Sequence, residues 1–202
     1  MNPLLPVSVT IAADLNDVCA GTTVTFTATP VNGGLTPSYQ WFVNSVEMIG
    51  FNTDTYAYVP ADGDQVYCIL TSSETCQSGG PATSNTVVMI INPILPVSVT
   101  IAADADPVCA GTTVTYTATP VNGGLTPTYQ WFVNTVEMTG FTTGTYAYIP
   151  VNGDQVYCIL TSSEACKSGS PATSNTLTAT VNPILPVDRK STRLNSSHRI
   201  RS

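Results

Sequence analysis

Up to residue 187 the chain contains no histidine, no arginine and a single lysine, Lys167. That shortage excludes whole mechanisms. A Ser-His or Cys-His couple needs an imidazole, and an arginine clamp on a developing oxyanion needs a guanidinium. Paired carboxylates are the one acid–base route left. The candidates are Asp62 with Asp64 and Asp104 with Asp106, and glycosidase-type chemistry would need two carboxyl groups about 5–9.5 Å apart across a cleft. Charge of either sign is scarce, at 9% of residues. Twelve acids stand against the one base before Asp188. Affinity for nucleic acid comes chiefly from lysine and arginine, so no nucleic-acid partner is expected.

Long apolar runs are missing as well. The most apolar stretch, Val87 to Val97, is broken by Pro93 and Pro96 and is too short to cross a bilayer, so no membrane insertion is expected. The opening MNPLLPVSVT has neither the basic start nor the small-residue cleavage site of a secretory leader. No segment keeps a helical period over several turns.

What is present is 43% hydrophobic sequence rich in Thr, Ser, Val, Gly and Pro, which points to an all-β protein. A shift of 90 positions lays the chain on itself, with 69 of the 90 residues from Asn2 to Ile91 identical. Each unit is long enough to enclose a core, unlike the 20–50-residue repeats of solenoids. The expected organisation is one repeat over 1–92, a second over 93–183 and the start of a third at 184–187. Met1 takes the place that Ile91 holds in the next unit, so the repeats are expected to continue beyond this stretch.

Within a unit the alternation of apolar and polar residues marks the strands. Val24, Phe26 and Ala28 share one face, as do Tyr39, Trp41 and Val43, and Val66, Cys68 and Leu70. Thr55–Val59 adds a strand, and Thr86–Ile91 is expected to close the unit. Pro30 to Pro37, with Gly33-Gly34, reads as a loop, and Asn44-Ser45 as a hairpin turn. About seven short strands around one tryptophan per unit predict two tandem immunoglobulin-like β-sandwiches. Trp41, Cys68, Trp131 and Cys158 are the expected core residues. Asp62-Gly63-Asp64 reads as turn chemistry, since the second unit keeps the turn as Asn152-Gly153-Asp154 with one charge fewer. Phe42 and Phe132 point away from the tryptophan face. They pack under a neighbouring hairpin or form an exposed aromatic platform for sugar or protein.

The runs Val18–Phe26, Tyr39-Gln40-Trp41, Gly63–Cys68 and Pro81–Asn85 resemble the Ig-like and PKD-like tandem repeats of Bacteroidota surface and secreted proteins. Those repeats stand in arrays associated with gliding motility and type IX secretion. The resemblance covers residues 2–187 and implies export and an adhesin-like stalk or interaction role, outside the cell or on its surface. Separately, Asp188–His198, DRKSTRLNSSH, resembles an in-frame translation of a sequencing adapter. Residues 188–202 are therefore set apart from the fold as a non-native tail, expected to be disordered.

Three cysteines per unit suit an oxidising compartment. Their spacings of 49 and 8 contain no CxxC pair, which argues against zinc. With Cys68 and Cys158 in the core, Cys19 has three possible partners. Cys68 would imitate an inter-sheet bridge. Cys76 is the pairing suggested by relatives with two cysteines, although standard topology puts it at the opposite end from Cys19. Cys166 would tie one repeat to the next. The expectation is Cys19–Cys76 and Cys109–Cys166. No cofactor is expected beyond a weak Ca²⁺ candidacy of Asp14, Asp17, Asp104 and Asp106 ahead of the second strand of each unit. The partners foreseen are neighbouring repeats and an extracellular glycan or protein, with no catalysis.

Overall fold

The structure is a computed structural model that describes residues 4–185. Expectations placed on 186–202, the tail among them, lie outside the described residues. Contacts divide the chain into two units. The first comprises Met1–Val97, Val121–Pro127 and Ser162–Ser170; the second comprises Ser98–Pro120, Thr128–Thr161 and Pro171–Ser202. Short segments of the second sequence repeat thus belong, by their contacts, to the first unit.

The first unit is built on an immunoglobulin-like sandwich. One sheet has three strands, with Val24–Val31 between Ser8–Ala13 and Thr55–Tyr58. The other pairs Ser38–Val43 with Val46–Glu47 on one side and Gln65–Thr71 on the other. Ala82–Thr83 and Val87–Val88 then line the far edge of Gln65–Thr71. All these pairings are antiparallel.

Alternation decides which side chains meet. Val24, Phe26 and Ala28 are buried from the first sheet, and Tyr39, Trp41, Val43, Val66, Cys68 and Leu70 from the second. Trp41 stands directly across from Cys68 on the neighbouring strand. Its ring lies 5.7 Å from Tyr56 and 6.5 Å from Phe26, and its indole N–H donates to the Thr53 carbonyl at 2.9 Å. The apolar body of the ring is therefore buried without orphaning its one polar atom.

The hairpin at Asn44-Ser45 has positive φ at both residues, 51° and 65°, the conformation a two-residue turn needs to match strand twist. Asn44 also clamps the Asp64 turn, which lies at the same end of the sheet because Val43 pairs with Val66. Its Nδ2 donates to Asp64 Oδ1 at 2.7 Å, and its Oδ1 accepts from the Gln65 N–H at 3.0 Å.

The expected closing strand Thr86–Ile91 is shorter and split. Ahead of it, between Ala82–Thr83 and Val87–Val88, stands Asn85. Its side chain leaves the sheet and bridges to the opposite one, accepting from the Ile11 N–H at 2.8 Å and donating to the Ile11 carbonyl at 3.0 Å. One asparagine thereby joins the two layers at their open edge.

The second unit repeats the pattern. Ser98–Ala103, Val114–Val121 and Thr145–Tyr148 form three strands, and Thr128–Val133, Val136–Glu137, Gln155–Thr161, Ala172–Thr173 and Leu177–Thr178 form the other sheet. Trp131 and Cys158 are fully buried and face each other across adjacent strands. Several interior or rim residues differ from the first repeat, among them Phe26, Leu15 and Met89, which become Tyr116, Ala105 and Ala179. A cleft of about 500 Å³ opens there, with Tyr116, Ala105 and Ala179 among its lining residues. Ala179→Met should stabilise this unit by roughly 1 kcal/mol by refilling lost volume. The gain should grow when Tyr116→Phe removes the added hydroxyl, and a thermal-melting double-mutant cycle checks that coupling.

Candidate functional site

Within the first unit, Asn92–Leu95 is a Pro-containing stretch with few side chains to bury. Its order comes from two short parallel ribbons. On one side Ile91–Asn92 pairs with Val18–Cys19, fixed by bonds from Val18 N to Ile90 O at 3.1 Å and from Ala20 N to Asn92 O at 2.8 Å. On the other side Leu95–Pro96 pairs with Lys167–Ser168, fixed by Leu95 N to Cys166 O at 3.0 Å and Val97 N to Ser168 O at 2.9 Å. Asn92 Nδ2 also donates to Asp17 Oδ1 at 2.6 Å. The stretch is thus held between Cys19 and Cys166, and those two cysteines are disulfide-bonded, with Cα atoms 5.3 Å apart.

This corrects the expected pairing of Cys19 with Cys76 and of Cys109 with Cys166. Cys76 and Cys109 are exposed free thiols. The reason is topological. Cys76 accepts from the Leu5 N–H ahead of the first strand, whereas Cys19 follows the end of that strand and pairs with Asn92. Cys68 and Cys158 are buried and free. Burial pushes the Cys68 thiol up to about 11 and raises that of Cys158, partly offset there by a bond with Ser174. Both stay protonated and unreactive at neutral pH.

The carboxylates named from sequence are engaged by hydrogen bonds within the fold, Asp17 with the Asn92 amide and most of the others with backbone N–H groups. Asp14 accepts from Thr25 N at 2.9 Å, and Asp104 from Thr115 N at 3.0 Å. Asp106 accepts from Thr180 N at 2.8 Å. Among the described residues no three metal-ligating side chains converge. Asp62 accepts from Ile91 N and its counterpart Asn152 from Val181 N, each at 2.9 Å, so an amide oxygen serves as well as a carboxylate. That accounts for the exchange of charge between repeats.

Asp64 is different. Desolvation would raise its pKa, but bonds from the Ala61 N–H, the Asn44 amide and the Tyr58 hydroxyl together hold it below the usual carboxylate range. A depressed folded-state pKa means stability that is present above the unfolded pKa and lost as pH falls through the folded one. Asp64→Asn should cost about 1–2 kcal/mol near neutral pH, because an amide cannot accept all three bonds. The gap to the parent chain should close in acid, which urea titrations at pH 7 and pH 3 would check.

Phe42 and Phe132 lie on the face of the larger sheet opposite to the tryptophan. Each is half-buried against an aromatic on the adjacent strand. Phe42 stacks on Tyr67 and Phe132 on Tyr157, each at 4.9 Å with 3° between ring planes. Gln40, bonded to Glu47 at 3.1 Å, borders the first pair, and Gln130 with Glu137 borders the second at 3.2 Å. A flat aromatic pair with amide and carboxylate neighbours suits the apolar face of a sugar ring or a protein side chain.

Leu35 and Leu125 escaped the sequence reading. They are 99% and 100% exposed at the tips of their loops. In the first repeat the loop beneath is fixed by Ser73, whose N–H donates to Gly33 O at 2.9 Å and whose hydroxyl accepts from Thr36 N at 3.0 Å. The available signal was an apolar residue held unchanged inside a Gly- and Pro-rich loop in both repeats.

No family model matches the chain. It is 31% identical over 169 residues to the highly immunogenic outer capsid protein of Enterobacteria phage T4, an alignment spanning 78% of this chain and 44% of that protein. The chain therefore spans less than half the length of this relative. Among solved structures it superposes on a Ca²⁺-stabilised adhesin with which an Antarctic bacterium binds ice, at a TM-score of 0.55 and 19% identity over 90% of this chain and 50% of the other. The three N-terminal domains of the bacteriophage RB49 outer capsid protein align with a TM-score of 0.38 at 15% identity, over 87% of this chain and 59% of that one.

Proposed function

We propose that this chain is a non-catalytic module of an extracellular or surface-exposed protein, serving as a tension-resistant spacer within an array of like repeats. The observation that carries the reading is the Asn92–Leu95 stretch, hydrogen-bonded on both flanks and bridged by Cys19–Cys166. A disulfide suits an oxidising compartment. The lack of imidazole and guanidinium before Asp188, with the candidate carboxylates engaged in hydrogen bonds within the fold, supports a structural role over chemistry. The outer-capsid relative supports display at a surface. A stalk in an exported protein of the resembled kind accords with all of this.

A pulling experiment tests the reading. The bond encloses 147 residues of sequence separation, and these cannot extend while it is intact. Stretching the oxidised chain should leave that length hidden, and reductant should release on the order of 500 Å at about 3.5 Å per residue. Full extension of the oxidised chain at low force would overturn the proposal.

A second reading rests on the Phe42–Tyr67 and Phe132–Tyr157 stacks. These would contact an extracellular glycan or protein, the chain then acting as an accessory binding module. Glycan arrays with Phe42→Ala and Phe132→Ala decide between them: binding lost in the variants favours contact, and no binding by the parent favours the spacer alone.

A further inference from the structure

The cleft bordered by Ala105, Tyr116 and Ala179 lies wholly within the second unit. Leu15 and the buried Met89 stand at the equivalent places in the first repeat, so two exchanges to alanine account for the space. A third exchange changes the chemistry at its edge. Asn16 of the first repeat becomes Asp106, which also lines the cleft. Asn16 is satisfied at both ends of its amide. Its Oδ1 accepts from the Ile90 N–H at 3.0 Å, and its Nδ2 donates to the Val88 carbonyl at 3.1 Å. Asp106 keeps the first bond, accepting from the Thr180 N–H at 2.8 Å. It has no proton for the second, because a carboxylate only accepts. Its other oxygen takes the place of Nδ2 beside the carbonyl of Thr178, the counterpart of Val88 and a further lining residue. Two acceptors thus meet at the cleft with no donor between them, and a ligand's charged N–H groups would complete the arrangement. Asp104 adds a second carboxylate to the lining, with one oxygen bonded to the Thr115 N–H at 3.0 Å. Ile101, Ala102 and Ala103 contribute aliphatic wall.

We propose that this cleft binds a primary alkylammonium group, a protonated amine on a short aliphatic stem. An ammonium carries three donors and no acceptor, so it serves the Asp106 carboxylate and the Thr178 carbonyl together. Its stem lies against the aliphatic wall, where Ala105 and Ala179 leave room. A bare calcium ion suits the site less. It takes about 6–8 oxygen ligands, and among the described residues no three metal-ligating side chains converge. An anion would meet two carboxylates of its own sign. A lysine side chain and a free alkylamine share the required chemistry. The site uses none of the residues of the Cys19–Cys166 bridge or of the aromatic stacks, so it stands independently of the spacer reading.

The test titrates n-butylammonium chloride into the full chain and follows the backbone amide signals of Ala105 and Thr180 by NMR. Saturable shifts with a dissociation constant of about 1–10 mM are expected for so small a ligand. 1-Butanol keeps the stem and loses the charge, and should bind about tenfold more weakly or worse. Asp106→Asn restores the amide of the first repeat and should weaken butylammonium by about tenfold or more. Ala179→Met refills the cleft and should abolish the shifts while melting no lower than the parent, which tells a lost site from a lost fold. Nα-Acetyl-lysine methylamide separates the two sources. Binding as tight as butylammonium assigns the site to a lysine side chain, and binding about tenfold weaker assigns it to a free amine. No saturable shift with either amine would overturn the proposal. So would equal binding of butanol, undiminished binding by the Asp106→Asn protein, or calcium chloride giving the same shifts at lower concentration.

Discussion

Cys19→Ser is expected to lower the thermal midpoint of the oxidised chain by on the order of 10 °C. The bond closes a sequence separation of 147 residues. Loop-closure entropy for so long a ring corresponds to about 5 kcal/mol, and losses of native bridges run at about 2–5 kcal/mol. For a chain of this size each kcal/mol moves the midpoint by about 2–4 °C. Cys166→Ser should match it, and the double variant should be no worse than either single, because all three remove one and the same bond. Cys76→Ser and Cys109→Ser touch exposed, unbonded thiols and should change stability by less than about 0.5 kcal/mol. If those two variants melted as early as Cys19→Ser, the bond would not be the source of the effect.

Trp41→Ala should be more damaging to its own unit. The ring is completely buried and packs on Phe26 and Tyr56. Truncation of a buried tryptophan costs about 3–5 kcal/mol, and loss of the indole N–H leaves the Thr53 carbonyl without its partner at roughly 1–3 kcal/mol more. That sum rivals the whole stability of a small domain. The expected result is collapse of the Tyr39–Leu70 core, while Trp131, the one indole remaining, keeps the fluorescence of a buried ring. Trp41→Phe, which keeps most of the volume, should lose roughly half as much. Exposure of Trp131 in the Trp41→Ala protein would show that its burial depends on the first core.

The strands and their buried faces were legible because two-residue alternation is a direct record of which side meets the other sheet. Trp41 opposite Cys68 and the Asn44-Ser45 turn follow from that period and from the tolerance of asparagine for positive φ. The two-residue ribbons at Ile91–Asn92 and Leu95–Pro96 were not legible, since two residues carry no period and their order comes from backbone partners far along the chain. The partner of Cys19 was lost with them. Asn85 was hidden for a similar reason: nothing in its neighbours says that its amide reaches Ile11 in the opposite sheet. The aromatic face was half legible. Phe42 was placed on the outside, but its stacking on Tyr67 depends on strand register.

The ring closed by Cys19 and Cys166 has a consequence for survival among extracellular proteases. Cleavage at any single peptide bond between these two residues, the exposed Leu35 and Leu125 loops included, yields fragments that remain joined through sulfur. Whatever the chain holds at its far end would stay attached after such a nick, and would be shed only by a second cut outside the ring or by reduction.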